Sequence, residues 1–206
     1  MHKRGRAGYN AFPGIKPTRK TLRAVTLPLD LKPGLSPVLL HALTKRVEVM
    51  SDSAKDVIII VDETAAVRWL SYDQPNDEFI GLVDLGNGRK LPWPAEEIMV
   101  AMVRGIFGDW KQPLAFWPTC KRLTGVHFRD MFKEVIEAVL TVGLRVRAIG
   151  MDGLGKNYTA VELLGASLED PWFFLGGQKI YVISDVPHLL KCLRNALLKY
   201  PLELGH

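Results

Sequence analysis

Val57-Ile58-Ile59-Ile60-Val61, an unbroken run of β-branched residues, constrains the fold more than any other stretch of the chain. Such side chains are stiff about χ1 and sit well on a pleated surface. A run without alternation puts apolar groups on both faces, which predicts an inner strand with both faces covered. The run stops at Asp62-Glu63, and two later predicted strands, 144–151 and 179–184, stop at Asp152 and Asp185. In open α/β sheets, sites lie beyond the carboxyl ends of the strands, so these aspartates are expected on one edge. Convergent carboxylates suit hard divalent cations such as Mg²⁺. Two such ions can activate an attacking oxygen and stabilise a leaving one in phosphodiester chemistry.

The remaining pattern supplies the other elements. Residues 79–84 read as a strand running into the turn Leu85-Gly86-Asn87-Gly88, and 98–107 as a strand pairing with 113–118 across Gly108-Asp109, with a helix as the alternative because Glu96 and Glu97 after Pro94 also suit a helix start. Phe128, Met131, Phe132, Val135, Ile136, Val139 and Leu140 recur at helical spacing, predicting an amphipathic helix over 125–142 closed by Gly143. Further helices are expected at 156–164 and 187–198. Antiparallel strands followed by β-α-β alternation predict an α/β fold: a mixed sheet flanked by helices. Upstream, Pro13, Gly14, Pro17, Pro28, Pro33 and Gly34 allow only short helices, one from Thr18 to about residue 25 and one capped by Ser36-Pro37 and running to about residue 49. The expected division is a basic arm with linker helices over 1–54 and an α/β domain over 55–206.

Charge separates the same two parts. Residues 1–29 carry Lys3, Arg4, Arg6, Lys16, Arg19, Lys20 and Arg23 and no acid, so this segment holds +7 and the rest of the chain −2 of the net +5. A polycationic arm suits contact with a phosphate backbone, with Lys16, Arg19, Lys20 and Arg23 on its first predicted helix, the alternative being a merely solvated terminus. With 48% hydrophobic and 24% charged residues, the composition excludes a disordered or fibrous chain. The longest apolar run, 98–107, is interrupted by Arg104 and falls short of the roughly 20 residues a membrane span needs. The opening MHKRGRAGYN lacks a following apolar segment, so an intracellular protein without a secretory signal is expected. Cys120 and Cys192 have no CxxC partner, which argues against a zinc ribbon and for free thiols.

Competing chemistries find less support. Asp62-Glu63-Thr64 lacks the second aspartate, two positions on, of a phosphoaspartate phosphatase. Gly153-Leu154-Gly155-Lys156-Asn157 lacks the upstream glycine and following hydroxyl of a phosphate loop. No Ser/His/Asp set has supporting spacing.

The series VIIIVDETAAVRWLSYD, FIGLVDLGNG, GDWKQPLAFWPT, VGLRVRAIGMDGLGKN and KIYVISDVPHLLKCLRNALL resembles, in family order over about residues 57–198, the RNase H-like catalytic domain of P-element-type transposases, THAP-domain transposases included. The upstream KPTRKTLRAVTLPLDLKPGLSPVLLHALTKRV resembles the linker helices that precede that domain.

The resemblance implies an RNase H-like fold and DNA strand cleavage and transfer in transposition. Asp62 matches the first catalytic carboxylate and Asp152 the second, jointly holding Mg²⁺, with Mn²⁺ as an alternative. Asp185 and His188 match a motif just before an inserted domain and, with Glu63, are expected beside the site. The family's third carboxylate is a Glu on a helix beyond the insertion; the sequence runs to His206, short of it, and Glu203 is not assigned the role. The chain is therefore expected to be the N-terminal, incomplete part of the domain. The guanine nucleotide cofactor (GTP) of the P-element type is held mainly by the insertion and is not carried over to these residues. DNA is the implied partner, with a second copy or the missing C-terminal segment covering exposed apolar surface, and the nucleus the implied location. The alternative is a catalytically inactive, domesticated remnant that binds DNA or protein.

Overall fold

A computed structural model describes residues 31–152 and 155–199. The expected helix at Thr18, the cations Lys16, Arg19, Lys20 and Arg23, and Glu203 lie outside them. In chain order the elements are β1 (Gly34–Leu35), α1 (Pro37–Glu48), a 3₁₀ turn (Asp52–Lys55), β2 (Asp56–Ala65), β3 (Ser71–Asp73), β4 (Glu78–Ile80), β5 (Leu82–Asp84), β6 (Lys90–Pro94), β7 (Glu97–Gly105) and β8 (Lys111–Thr119). Then follow α2 (Gly125–Thr141), β9 (Arg145–Met151), α3 (Lys156–Glu162), β10 (Trp172–Leu175), β11 (Gln178–Ser184) and α4 (Val186–Lys199).

The β-branched run becomes the middle of a seven-stranded sheet of order β1-β8-β7-β2-β9-β11-β10. β2 pairs antiparallel with β7 on one side and parallel with β9 on the other, and β9 pairs parallel with β11. The sheet is thus mixed, as the element order implies. Its buried face carries Val57, Ile59 and Val61 from β2, Met99, Ala101 and Val103 from β7, and Leu114 and Trp117 from β8. Against it pack Phe128, Phe132, Val135, Ile136 and Val139 of α2, the two phenyl rings meeting edge to face at 6.3 Å. α1 begins as its Ser36-Pro37 start predicts, the Ser36 hydroxyl accepting from the Leu39 N–H at 3.4 Å. Its Leu43 and Val47 join the same core, and β1 pairs with β8 at the sheet's edge.

Four features differ from expectation. Only one face of β2 is fully buried: Ile58 and Ile60 are half-buried, because the described packing helices gather on the Ile59 side while the other side opens into a cleft. β2 also continues past Asp62 to Ala65, held by β7, which pairs with it as far as Ala65↔Glu97. The expected strand 79–84 is cut at Gly81, whose φ of +94° turns the chain and whose added Cβ would lie 1.8 Å from the Trp69 carbonyl oxygen. β4 therefore pairs with β3 and β5 with β6, in two small sheets apart from the central one. Finally, β10 is an additional edge strand, joined to β11 through Gly176 and Gly177, both at positive φ as tight hairpins favour. Among the described residues no helix is long and apolar enough to cross a membrane.

Candidate active site

Topology alone brings the aspartates to one edge. The β2–β9 ladder runs through Ile59↔Ile149 and Ile60↔Gly150 and there ends, although β2 continues along β7. Carried two residues further, the same register sets Asp62 level with Asp152. At the last paired rung, Ile60↔Gly150, the two strands still run side by side at the usual strand spacing of about 4.8 Å. On the far side of β9, Ser184 pairs with Met151, and the Asp185 N–H donates to the Met151 carbonyl at 2.9 Å. Asp62, Asp152 and Asp185 thereby line one cleft of about 300 Å³ with Ile58, Ile60, Gly150 and Ile183.

The carboxylates differ in setting. Asp62 and Asp185 are exposed, whereas Asp152 is half-buried and its Oδ1 accepts a hydrogen bond from Asn157 Nδ2. Among the described residues no three His, Cys, Asp or Glu side chains close into a complete metal cage. An all-oxygen, partly open donor set nonetheless fits Mg²⁺, which usually keeps waters and takes substrate phosphates for its remaining positions.

Glu63 follows Asp62 on a strand, so its side chain leaves the other face. It accepts a 3.2 Å hydrogen bond from the Thr119 hydroxyl and is absent from the cleft wall. Burial, and then the Glu97 charge, push its carboxyl above the usual range; Asp152 adds to the rise and Lys156 opposes it. His188 falls within α4, and its side chain lies outside the described atoms.

Two residues of the segment that failed as a phosphate loop have structural work beside the cleft. Lys156 Nζ donates to the Cys120 carbonyl at 3.1 Å and lies 5.2 Å from the Phe128 ring centre, while Asn157 holds Asp152. The sequence signal was the spacing Asp152 to Asn157, which sets a short helix's first turn beside the strand end it follows.

A family model described as TNP-like, RNase H N-terminal domain matches residues 31–165. The Transposable element P transposase of Drosophila melanogaster is 28% identical over 204 residues, covering 95% of this chain and 24% of that protein. The human DNA transposase THAP9 is 23% identical over 175 residues, covering 80% of this chain and 19% of that protein. Among solved structures, the Drosophila P element transposase strand transfer complex matches with a TM-score of 0.66 and 26% identity, over 95% of this chain and 40% of that one. The chain thus spans about a quarter or less of the curated relatives' length.

Proposed function

The chain belongs to the TNP-like RNase H N-terminal domain family, and from that premise we propose that it supplies two aspartate ligands, Asp62 and Asp152, to a divalent-cation site for DNA strand cleavage and transfer in transposition. The observation that carries this is the ladder end: β2 loses β9 just before Asp62, and the continued register brings Asp152 level with it at the mouth of a shared cleft. Mg²⁺ is the cation the oxygen donors suit, with Mn²⁺ able to replace it. When bound, it supplies Lewis-acid stabilisation of charge on a phosphodiester. The chain's own part is positional. Asp62 and Asp152 hold the ion, the paired strands β2, β9 and β11 carry them to one edge, and Asp185 borders the same cleft. The P element relative solved as a strand transfer complex supports DNA as the partner. The +7 of residues 1–29 supports phosphate contact by Lys16, Arg19, Lys20 and Arg23. The nucleus is the location that this reading implies.

A second reading, a remnant that binds DNA without cutting it, is favoured by the incomplete cage among the described residues. Nicking of labelled duplex DNA in Mg²⁺ or Mn²⁺ separates the two. Cleavage lost in both Asp62→Asn and Asp152→Asn supports the catalytic assignment, and equal cleavage by wild type and both variants would falsify it. Wild-type DNA binding without cleavage supports the remnant.

A further inference from the structure

Asn157 is only 4% exposed, and its Nδ2 donates to Asp152 Oδ1. The nitrogen end of the amide is therefore the end that faces the carboxylate. The amide oxygen is then an acceptor, and it is buried without a hydrogen-bond partner among the described residues. Native structures rarely leave such an acceptor unpaired, so this one asks for a donor. The amide is also held in place. Lys156, one residue before it, is tied to the Cys120 carbonyl, and Ala160 and Val161, later in α3, are buried in the core.

We propose that Asn157 is a positioning residue for the cation site: its Nδ2 fixes the Asp152 carboxylate through Oδ1, leaving Oδ2 for the ion, and its Oδ1 accepts from a water of the ion's hydration shell. This rests on the cation reading of Asp62 and Asp152. Mg²⁺ retains several waters, and a water bound through its oxygen offers only donors. An amide meets both requirements, since it gives a proton to the carboxylate and takes one from the water. A carboxylate at residue 157 could only accept, and a lysine only donate. Outer partners of this kind typically account for 10- to 100-fold in metal affinity.

The test is Mn²⁺ binding by the whole 206-residue chain, followed by electron paramagnetic resonance in wild type, Asn157→Leu, Asn157→Ala, Asp62→Asn and Asp152→Asn. Leucine keeps the volume and removes both polar atoms, so the fold is expected to persist with an unchanged or higher melting midpoint. Mn²⁺ affinity is expected to fall at least about tenfold. A merely structural role would lower the midpoint and leave the affinity alone. A second readout needs no variant at 157. The Asn157 side-chain amide resonances of ¹⁵N-labelled wild type should shift on Mg²⁺ saturation and in Asp152→Asn. Wild-type Mn²⁺ affinity in Asn157→Leu, or amide resonances indifferent to Mg²⁺, overturns the proposal. No Mn²⁺ binding by wild type, or binding unchanged in Asp62→Asn and Asp152→Asn, instead overturns the cation reading beneath it.

Discussion

Asp56 and Arg145, Cα partners at the first rung of the β2–β9 ladder, form a two-pronged ion pair in which Arg145 Nε donates to Oδ1 and Nη2 to Oδ2, each at 3.0 Å. Arg147 also donates to Oδ1, and Arg145 Nη1 reaches Asp52 at 2.8 Å. The ladder slips between Val57 and Ile58, just beyond this clamp. Pair and bulge together set the register of the ladder, which ends at Ile60↔Gly150, two residues before Asp62 and Asp152. A one-residue slip would turn every side chain of a strand to the opposite face.

The clamp predicts an acid-sensitive stability. The guanidiniums, Arg145 first, hold the Asp56 carboxyl down at about 2 against an ordinary 3.8, in spite of its burial. A depressed pKa means the folded state favours the carboxylate, so the contribution is complete above about pH 5 and is lost as pH falls through 4 towards 2. Asp56→Asn should therefore cost about 1–2 kcal/mol at pH 7. The gap in melting midpoint from wild type should close below pH 4. A gap constant from pH 7 to pH 2 would contradict this.

Ile59 and Ile60 are neighbours with opposite fates. Ile59 is 1% exposed in the core under α2, while Ile60 is half-buried on the cleft wall. Ile59→Ala should cost about 3–4 kcal/mol by chemical denaturation, in the range of buried large-to-small changes, and Ile60→Ala less than half as much. Equal costs would mean that both faces are sealed.

Gly81 and Gly88 both hold positive φ, +94° and +76°, but only at Gly81 would a Cβ strike backbone. Gly88→Ala should cost about 1 kcal/mol from conformation alone, and Gly81→Ala clearly more, about 2 kcal/mol or above. Melting curves of the two variants check the order.

If residues 1–29 contact phosphates, replacing Lys16, Arg19, Lys20 and Arg23 with Gln should weaken binding to duplex DNA whatever its sequence. It should also flatten the dependence of log affinity on log salt by roughly 0.9 per contact removed. An unchanged salt slope would assign these cations elsewhere.

Periodicity marked the elements that place the cleft: α2 buries every residue its spacing selects but Leu140, whereas the unbroken run of β2, expected to be covered on both faces, buries only its Val57, Ile59 and Val61 side. It marked the aspartates too, because residues at strand ends share an edge whatever else surrounds them. It could not show that Gly81 cuts a strand, since Phe79 to Asp84 is apolar enough to run unbroken and only the positive φ of Gly81 turns the chain there. Nor could it show the Asp56–Arg145 clamp or the Asn157 bond, made between residues 89 and 5 positions apart by packing rather than by pattern. Trp172 to Leu175 is illegible in the sequence for another reason: a four-residue strand is too short for a period, and only the following Gly176-Gly177 marks its turn.

The central claim, that Asp62 and Asp152 share one divalent cation, is tested most directly by Mn²⁺-induced line broadening in the ¹⁵N-labelled chain. At substoichiometric Mn²⁺ the amides of residues 60–63, 150–152 and 184–185 should broaden first, and either Asp62→Asn or Asp152→Asn should abolish the effect at all three strand ends together. Broadening centred elsewhere, or surviving at β9 when Asp62 is changed, would contradict a shared site.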